Sequence, residues 1–277
     1  MSIYQELIYS WAARLPIYEK QEAESLVSWL LEHHVGWRRT QILDEANEST
    51  FPAKLFEDFA RLKTGEPIQY IMGKGPFYGR DFLVSPATLI PRNETEELVH
   101  MIIKENPNAG LKVLDIGTGT GCIPISLALE MKAPEVFAVD ISQEALKIAI
   151  QNAEALGAKV TFSSCDILTQ TPVVSELDIL VSNPPYIPER EKSDMHRNVL
   201  DFEPGLALFV SNDDPLIFYR TIAEKGKYLL KPGGKLYFEI NEKYGNEVGK
   251  MMQSLGYSDV QVLKDLNGKD RIATARR

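Results

Sequence analysis

Apolar residues recur at helical spacing through the first quarter of the chain. Ile3, Leu7, Ile8 and Trp11 form one stripe, Leu26, Trp29, Leu30 and His33 a second, and Leu55, Phe56, Phe59 and Leu62 a third. Pro16, Gly36 and Pro52 punctuate them, and Ser49 or Thr50 before Phe51-Pro52 reads as an N-cap with proline in the first turn. Residues 1–70 are therefore expected to form an all-helical bundle, whose short helices hold by packing together. The period then changes. Tyr70-Ile71-Met72-Gly73 and the run Phe77 to Val84 alternate and carry turn glycines, which predicts a β-hairpin linker over residues 71–90. Next, Asn93 or Thr95 is placed to cap a helix reaching Lys104, with Glu94, Glu96 and Glu97 near its positive end.

From Leu111 onward strands and helices alternate. Val113 to Ile116, Val136 to Val139, Lys159 to Ser163, Asp178 to Ser182 and Lys235 to Ile240 read as strands. Helices are expected from Cys122 to Met131, from Ser142 to Leu156 with Gly157 as the stop, and from Pro215 to Leu230. Val260 to Leu263 and Ile272 to Ala275 look like a closing antiparallel pair. Residues 91–277 thus predict an α/β domain with a mostly parallel sheet and helices on both faces.

Strand ends are where open α/β sheets bind ligands, and four of them carry chemistry. Asn183-Pro184-Pro185-Tyr186 follows the fourth strand. Prolines fix φ and donate no hydrogen bond, so this corner presents carbonyls and the Asn183 side chain as acceptors, with Tyr186 as a flat face, suited to a planar NH2 group. An ordinary Asn-Pro turn is the plain alternative. Asp115-Ile116-Gly117-Thr118-Gly119-Thr120-Gly121 follows the first strand. Its G-x-G-x-G spacing is neither the dinucleotide fingerprint nor a phosphate loop. Asp140 ends the second strand, where an acid accepts both ribose hydroxyls, and Asp166, after the third, is placed to meet an adenine edge. Each lone Asp could equally cap a helix or turn; in this order on successive strand ends they favour a nucleoside cofactor.

Composition narrows the partners. The 277 residues suffice for one catalytic and one small accessory domain, and a net charge of −9 argues against general phosphate-backbone binding. Cys122 and Cys165 make no disulfide framework, and His33, His34, His100 and His196 lack metal-ligand spacing, so no metal site is expected. No apolar stretch approaches the roughly 20 residues that span a bilayer. The start Met1-Ser2-Ile3-Tyr4 lacks a secretory or transit pattern, so a cytoplasmic location is expected.

The acid before G-x-G-x-G, the acid after strand two and the N-P-P-Y after strand four resemble the class I S-adenosylmethionine-dependent methyltransferases, a Rossmann-like fold on a seven-stranded sheet. With the helical N-terminus, the hairpin, Ile90-Pro91-Arg92 and Glu94-Thr95-Glu96, the whole chain resembles the PrmC/HemK family. Asp201-Phe202-Glu203-Pro204 and Phe238-Glu239-Ile240 also match family segments, whereas Asn93 stands where the family usually has proline, and Phe209 to Pro215 replaces a glycine-rich stretch.

That resemblance implies methyl transfer from S-adenosyl-L-methionine, leaving S-adenosyl-L-homocysteine, to the glutamine of a Gly-Gly-Gln motif in class 1 peptide-chain release factors. It implies that Asn183 and Pro184 accept the amide hydrogens, that Tyr186 packs on the amide plane, and that Pro185 completes the substrate corner. It assigns the cofactor to Asp115, Gly117, Thr118, Gly119, Thr120, Gly121, Asp140, Asp166 and Ile167, with Asn183 at the junction and Leu168 near the base. The helical bundle reads either as a lid or stabilising bundle or as a module that docks the protein substrate, the role assigned to it here, and the chain is expected to act as a monomer without direct nucleic-acid binding. Three rivals remain at this stage: an adenine-amino methyltransferase on DNA or RNA, a non-catalytic S-adenosylmethionine-binding module, and a nicotinamide dehydrogenase.

Overall fold

The computed structural model describes residues 3–36 and 51–277. Ser49 and Thr50, read as an N-cap, lie outside these residues. The chain divides into two compact units, Met1–Gly73 with His196–Phe202, and Lys74–Met195 with Glu203–Arg277.

The smaller unit is helical: α1 (Ile3–Ala12), α2 (Lys20–Val35), α3 (Ala53–Leu62) and α4 (Ile68–Met72), with α8 (Arg197–Phe202) from later in the chain. Its core gathers Trp11, Leu15, Leu30, Leu31, Leu55 and Leu62. The Trp11 and Phe59 rings lie 4.6 Å apart, centre to centre. Trp29 and Phe56, predicted on the apolar stripes, sit exposed, because one turn of each helix already fills the core with Leu26, Leu30, Leu55 and Phe59. The Tyr70 to Met72 run, expected in the hairpin, is helical. Gly73 closes that turn at φ 70°, a left-handed stop that glycine takes without a Cβ penalty.

The larger unit opens with an antiparallel hairpin, β1 (Lys74–Phe77) and β2 (Arg80–Leu83), shorter than the predicted linker. Then α5 (Asn93–Glu105) leads into β3 (Lys112–Ile116), α6 (Cys122–Glu130), β4 (Glu135–Asp140), α7 (Gln143–Leu156), β5 (Thr161–Ser164) and β6 (Leu177–Ser182). A short pair, β7 (Ile187–Pro188) and β8 (Phe209–Val210), flanks α9 (Gly205–Leu208). The unit closes with α10 (Ile217–Leu229), β9 (Leu230–Glu239), α11 (Gly245–Ser254), β10 (Ser258–Lys264) and β11 (Asp270–Arg276). Helix α5 starts with Arg92 at its cap position and no side-chain cap, so neither Asn93 nor Thr95 caps it. Helix α10 starts two residues after Pro215. Ser142 caps α7 as predicted, its hydroxyl accepting the Ala145 N–H at 3.2 Å.

Seven strands form one sheet in the order β10-β11-β9-β6-β3-β4-β5. The five from β5 to β9 pair in parallel; β11 runs antiparallel between β9 and β10. Alternate residues of β6 feed opposite faces: Ile179 and Val181 join Leu98, Ile102 and Ile123, whereas Leu180 joins Tyr219, Ile222 and Met252. Burial on both faces explains the unbroken apolar runs of these strands. Strand β3 is followed by β4 and β5 on one side and flanked by β6 on the other. The order therefore reverses between β3 and β6, which marks a ligand-binding crevice at their carboxyl ends.

Candidate functional site

The two main motifs leave the sheet side by side at that reversal. Ile116 of β3 pairs with Ser182 of β6, and the Ser182 hydroxyl donates to the Ile116 carbonyl at 2.7 Å. Gly117 and Asn183 therefore emerge from adjacent, cross-linked strand ends. Both line one cavity of about 430 Å³, as do Asp140 and Ile167 from the next strand ends.

Glycine is required in the loop for two different reasons. Gly117, Gly119 and Gly121 adopt φ of 76°, 54° and 78°, a region that disfavours side chains. At Gly121 there is also no room: a Cβ would stand 2.9 Å from Ile125 Cδ1 and 3.1 Å from Ala149 Cβ. At Gly117 and Gly119 a Cβ would meet nothing within 4 Å, which leaves backbone open to the cavity. The loop is held from two sides. Gly119 N–H donates to Asp140 Oδ2 at 2.8 Å. Buried Asn152 of α7 donates to the Thr120 carbonyl at 2.9 Å and exchanges two bonds with Leu83 of β2.

Asp140 uses one lone pair on each oxygen, the second for Ser142 N–H at 2.9 Å. Burial raises its pKa, against the pull of these backbone donors. Asp115 is different. It lies fully buried beneath the loop, and both its oxygens and the Thr118 hydroxyl lack a hydrogen-bond partner among the described residues. Burial lifts its pKa to about 7; the neighbouring Thr118 hydroxyl opposes the rise without closing a bond, and the Asp140 charge adds to it. Cys122, at the start of α6, is a wall residue whose thiol burial pushes up to about 12.

The corner after β6 is braced by a carboxylate at the end of the adjacent strand, β9. Asn183 Nδ2 donates to Thr95 Oγ1 at 3.3 Å, and that hydroxyl donates to Glu239 Oε2 at 2.6 Å. Tyr186 donates its hydroxyl to Glu239 Oε1 at 3.4 Å, and Asn241 Nδ2 donates to the Tyr186 carbonyl at 3.3 Å. Glu239 is fully buried: desolvation raises its pKa, while the Thr95 bond, the Arg271 charge and the Tyr186 bond hold it down. Burial, aided by the Glu239 charge, drives the Tyr186 phenol well above its ordinary value.

Asn183, Pro184 and Pro185 line the large cavity; Tyr186 lines a neighbouring recess of about 270 Å³. Asp166 lines the large cavity, but its carboxylate accepts Leu168 N–H at 3.0 Å and Thr169 Oγ1–H at 2.8 Å, the turn-capping role. Ile167 and Leu168 supply apolar wall beside it, and Lys225 donates to the carbonyls of Ile167 and Gln170. At the cavity's other side Glu203 accepts Arg92 Nη2–H at 2.5 Å and Ile90 N–H at 3.2 Å, which ties the Ile90-Pro91-Arg92 segment to Glu203-Pro204.

Of the residues expected at the cofactor, Gly117, Thr118, Gly119, Thr120, Asp140, Asp166, Ile167 and Asn183 line one cavity, whereas Asp115 and Gly121 do not. The sequence reading took Thr95 only as a helix cap, and gave no role to Glu239, Glu203 or Asn152. The available signal was an acid inside the apolar strand Leu236-Tyr237-Phe238-Glu239, since a carboxylate is almost never fully buried unless paired. Among the described residues no group of three or more His, Cys, Asp or Glu could hold a metal ion, and no helix is long and apolar enough to cross a membrane.

Known proteins resemble this chain over most of its length. The family described as methyltransferase small domain matches residues 94–201, and that described as PrmC N-terminal domain matches residues 6–73. A release factor glutamine methyltransferase of Bacteroides thetaiotaomicron is 56% identical over 218 residues, 78% of each chain. Its counterparts in Flavobacterium psychrophilum and Bacillus subtilis are 41% and 39% identical, covering 92% and 96% of this chain and 92% and 95% of theirs. Among solved structures, a methyltransferase from Pyrococcus furiosus superposes with a TM-score of 0.53 at 20% identity, over 81% of this chain and 95% of that one. The fold is that of the class I S-adenosylmethionine-dependent methyltransferases, and the chain belongs to the release factor glutamine methyltransferase family.

Proposed function

We propose that the chain methylates the side-chain amide nitrogen of the glutamine in the Gly-Gly-Gln motif of class 1 peptide-chain release factors, with S-adenosyl-L-methionine as donor. One observation carries the reading: the glycine loop and the Asn183-Pro184-Pro185 corner share a single cavity at adjacent strand ends.

The residues fit the cofactor. About 430 Å³ lies within the range of small-molecule sites. Asp140 keeps one lone pair on each oxygen, the number that two vicinal ribose hydroxyls require. Gly117 and Gly119 leave open space for the methionine portion. Ile167 and Leu168 offer apolar surface to a purine. When bound, the cofactor supplies a sulfonium-activated methyl carbon.

The chain's own task is the nucleophile. An amide nitrogen is a poor one because its lone pair is delocalised into the carbonyl. Asn183 Oδ1 and the Pro184 carbonyl, by accepting its two hydrogens, favour pyramidal nitrogen and the positive charge that grows on it, an inverted oxyanion-hole logic. Orientation of this kind is worth about 7–11 kcal/mol. Tyr186 supports the corner from the neighbouring recess. No base is needed beforehand, since an N-alkylated, N-protonated amide is strongly acidic.

The wider reading follows from the substrate. The helical segment up to about residue 70 is assigned to docking the release factor, residues 71–90 to the linker and 91–277 to catalysis, in a cytoplasmic monomer. The PrmC N-terminal match over residues 6–73 supports a separate module there. Mass spectrometry of a release factor incubated with the chain and labelled cofactor tests the proposal. One methyl on the Gly-Gly-Gln glutamine is expected; label entering DNA and not the release factor would refute it.

A further inference from the structure

We infer that Thr95 and Glu239 are positioning residues for methyl transfer, fixing which end of the Asn183 amide faces the cavity. The inference rests on the reading of Asn183 given above. An asparagine carries an oxygen at one end of its amide and NH2 at the other, in nearly the same shape, so only its partners decide which way it points. The Thr95 hydroxyl has one hydrogen, and it goes to Glu239 Oε2 at 2.6 Å. Toward Asn183, Thr95 Oγ1 is then an acceptor only. The amide must turn its Nδ2 to that oxygen, as found at 3.3 Å, which leaves Oδ1 on the other side. The flipped amide would set oxygen against oxygen at Thr95 and present NH2 to the substrate NH2, donor against donor.

Glu239 is built to hold this polarity. Both its oxygens receive hydroxyl hydrogens, from Thr95 and from Tyr186, and the Arg271 guanidinium adds an attractive charge. A proton on either oxygen would compete with one of those donors. The same carboxylate thereby braces both ends of the corner, Asn183 through Thr95 and Tyr186 directly. Thr95 sits on α5 and Glu239 at the end of β9, 144 residues apart. Neither lies in the Asn183-Pro184-Pro185-Tyr186 corner itself; Thr95 also lines the cavity beside it, and Glu239 acts through Thr95 and Tyr186.

A double-mutant cycle on the full chain tests this, with a release factor as acceptor and cofactor affinity measured by calorimetry. Thr95→Val, near-isosteric but without the hydroxyl, is expected to lower kcat about tenfold or more, with the cofactor Kd changed less than about threefold. Thr95→Ser, which keeps the hydroxyl, should stay within about threefold of the parent. In an Asn183→Ala background Thr95→Val should cost almost nothing further, because the group it orients is gone. The inference is overturned if Thr95→Val keeps kcat within about twofold while Asn183→Ala loses it, or if the two losses multiply. If Asn183→Ala itself retains kcat, the underlying reading of the corner fails, and the inference with it. Should Thr95→Val not fold, Thr95→Ala, which also lacks the hydroxyl, carries the test: kcat is expected to fall about tenfold, and a change under about twofold overturns the inference.

Discussion

Gly119 N–H donates to Asp140 Oδ2 across 2.8 Å, so the glycine loop after β3 is pinned to the acid that ends β4. One carboxylate therefore shapes the loop and still offers a lone pair on each oxygen to a diol. Asp140→Ala should raise the cofactor Kd at least about tenfold, since bonds to a charged acceptor are worth about 1.5–3 kcal/mol. Calorimetric titration with S-adenosyl-L-homocysteine measures it; a change under about twofold would mean that the acid only braces the loop.

The glycines of the loop should respond unequally to alanine. Gly117→Ala meets only the strain of a positive φ, on the order of 1 kcal/mol. Gly121→Ala adds the close contact with Ile125 and Ala149, and should cost roughly 2–4 kcal/mol in chemical denaturation. Equal losses at the two positions would contradict the packing described for α6 and α7.

Asn152 links the hairpin to the loop through three hydrogen bonds from one buried amide. Asn152→Ala leaves the Leu83 N–H and two carbonyls without partners, and should destabilise the chain by roughly 2–4 kcal/mol. The fall in melting temperature should exceed that of any exposed Asn→Ala control.

Asp115 gives stability a dependence on pH. Its folded pKa, about 7, lies above the ordinary value of 3.8. Between those values the folded chain holds a proton that the unfolded chain has released. This group therefore makes stability fall as pH rises through that window, by up to about 1.4 kcal/mol per pH unit. Asp115→Asn, which cannot ionise, should flatten the slope of unfolding free energy from pH 4.5 to 7. An unchanged slope would show that the carboxylate is charged or solvated in the fold.

The legible part of the molecule was the local part. Asp140 and Asn183 were found because each directly follows an apolar strand, and Gly157 because a left-handed stop has its own residue. The helix over Ile68–Met72 was missed because five residues show too little of a period to separate it from alternation. Asp166 was assigned to the cofactor from its place after the third strand; it lines the cavity, and its carboxylate also accepts two hydrogen bonds within its own turn. Thr95 and Glu239 could not be paired from the chain alone, since their bond depends on how α5 packs against β9 of the sheet. Their chemistry left one trace, an acid inside an apolar strand.

The central claim is that a proline-stiffened corner presents Asn183 Oδ1 to an NH2 group beside the glycine loop. Crystals grown with S-adenosyl-L-homocysteine and a release factor bearing Gly-Gly-Gln test it most directly. The account predicts the sulfur in the cavity between Gly117 and Asn183, with the glutamine nitrogen about 2.7–3.2 Å from Asn183 Oδ1 and from the Pro184 carbonyl. A glutamine amide bound elsewhere, or facing Asn183 through its oxygen, would contradict it.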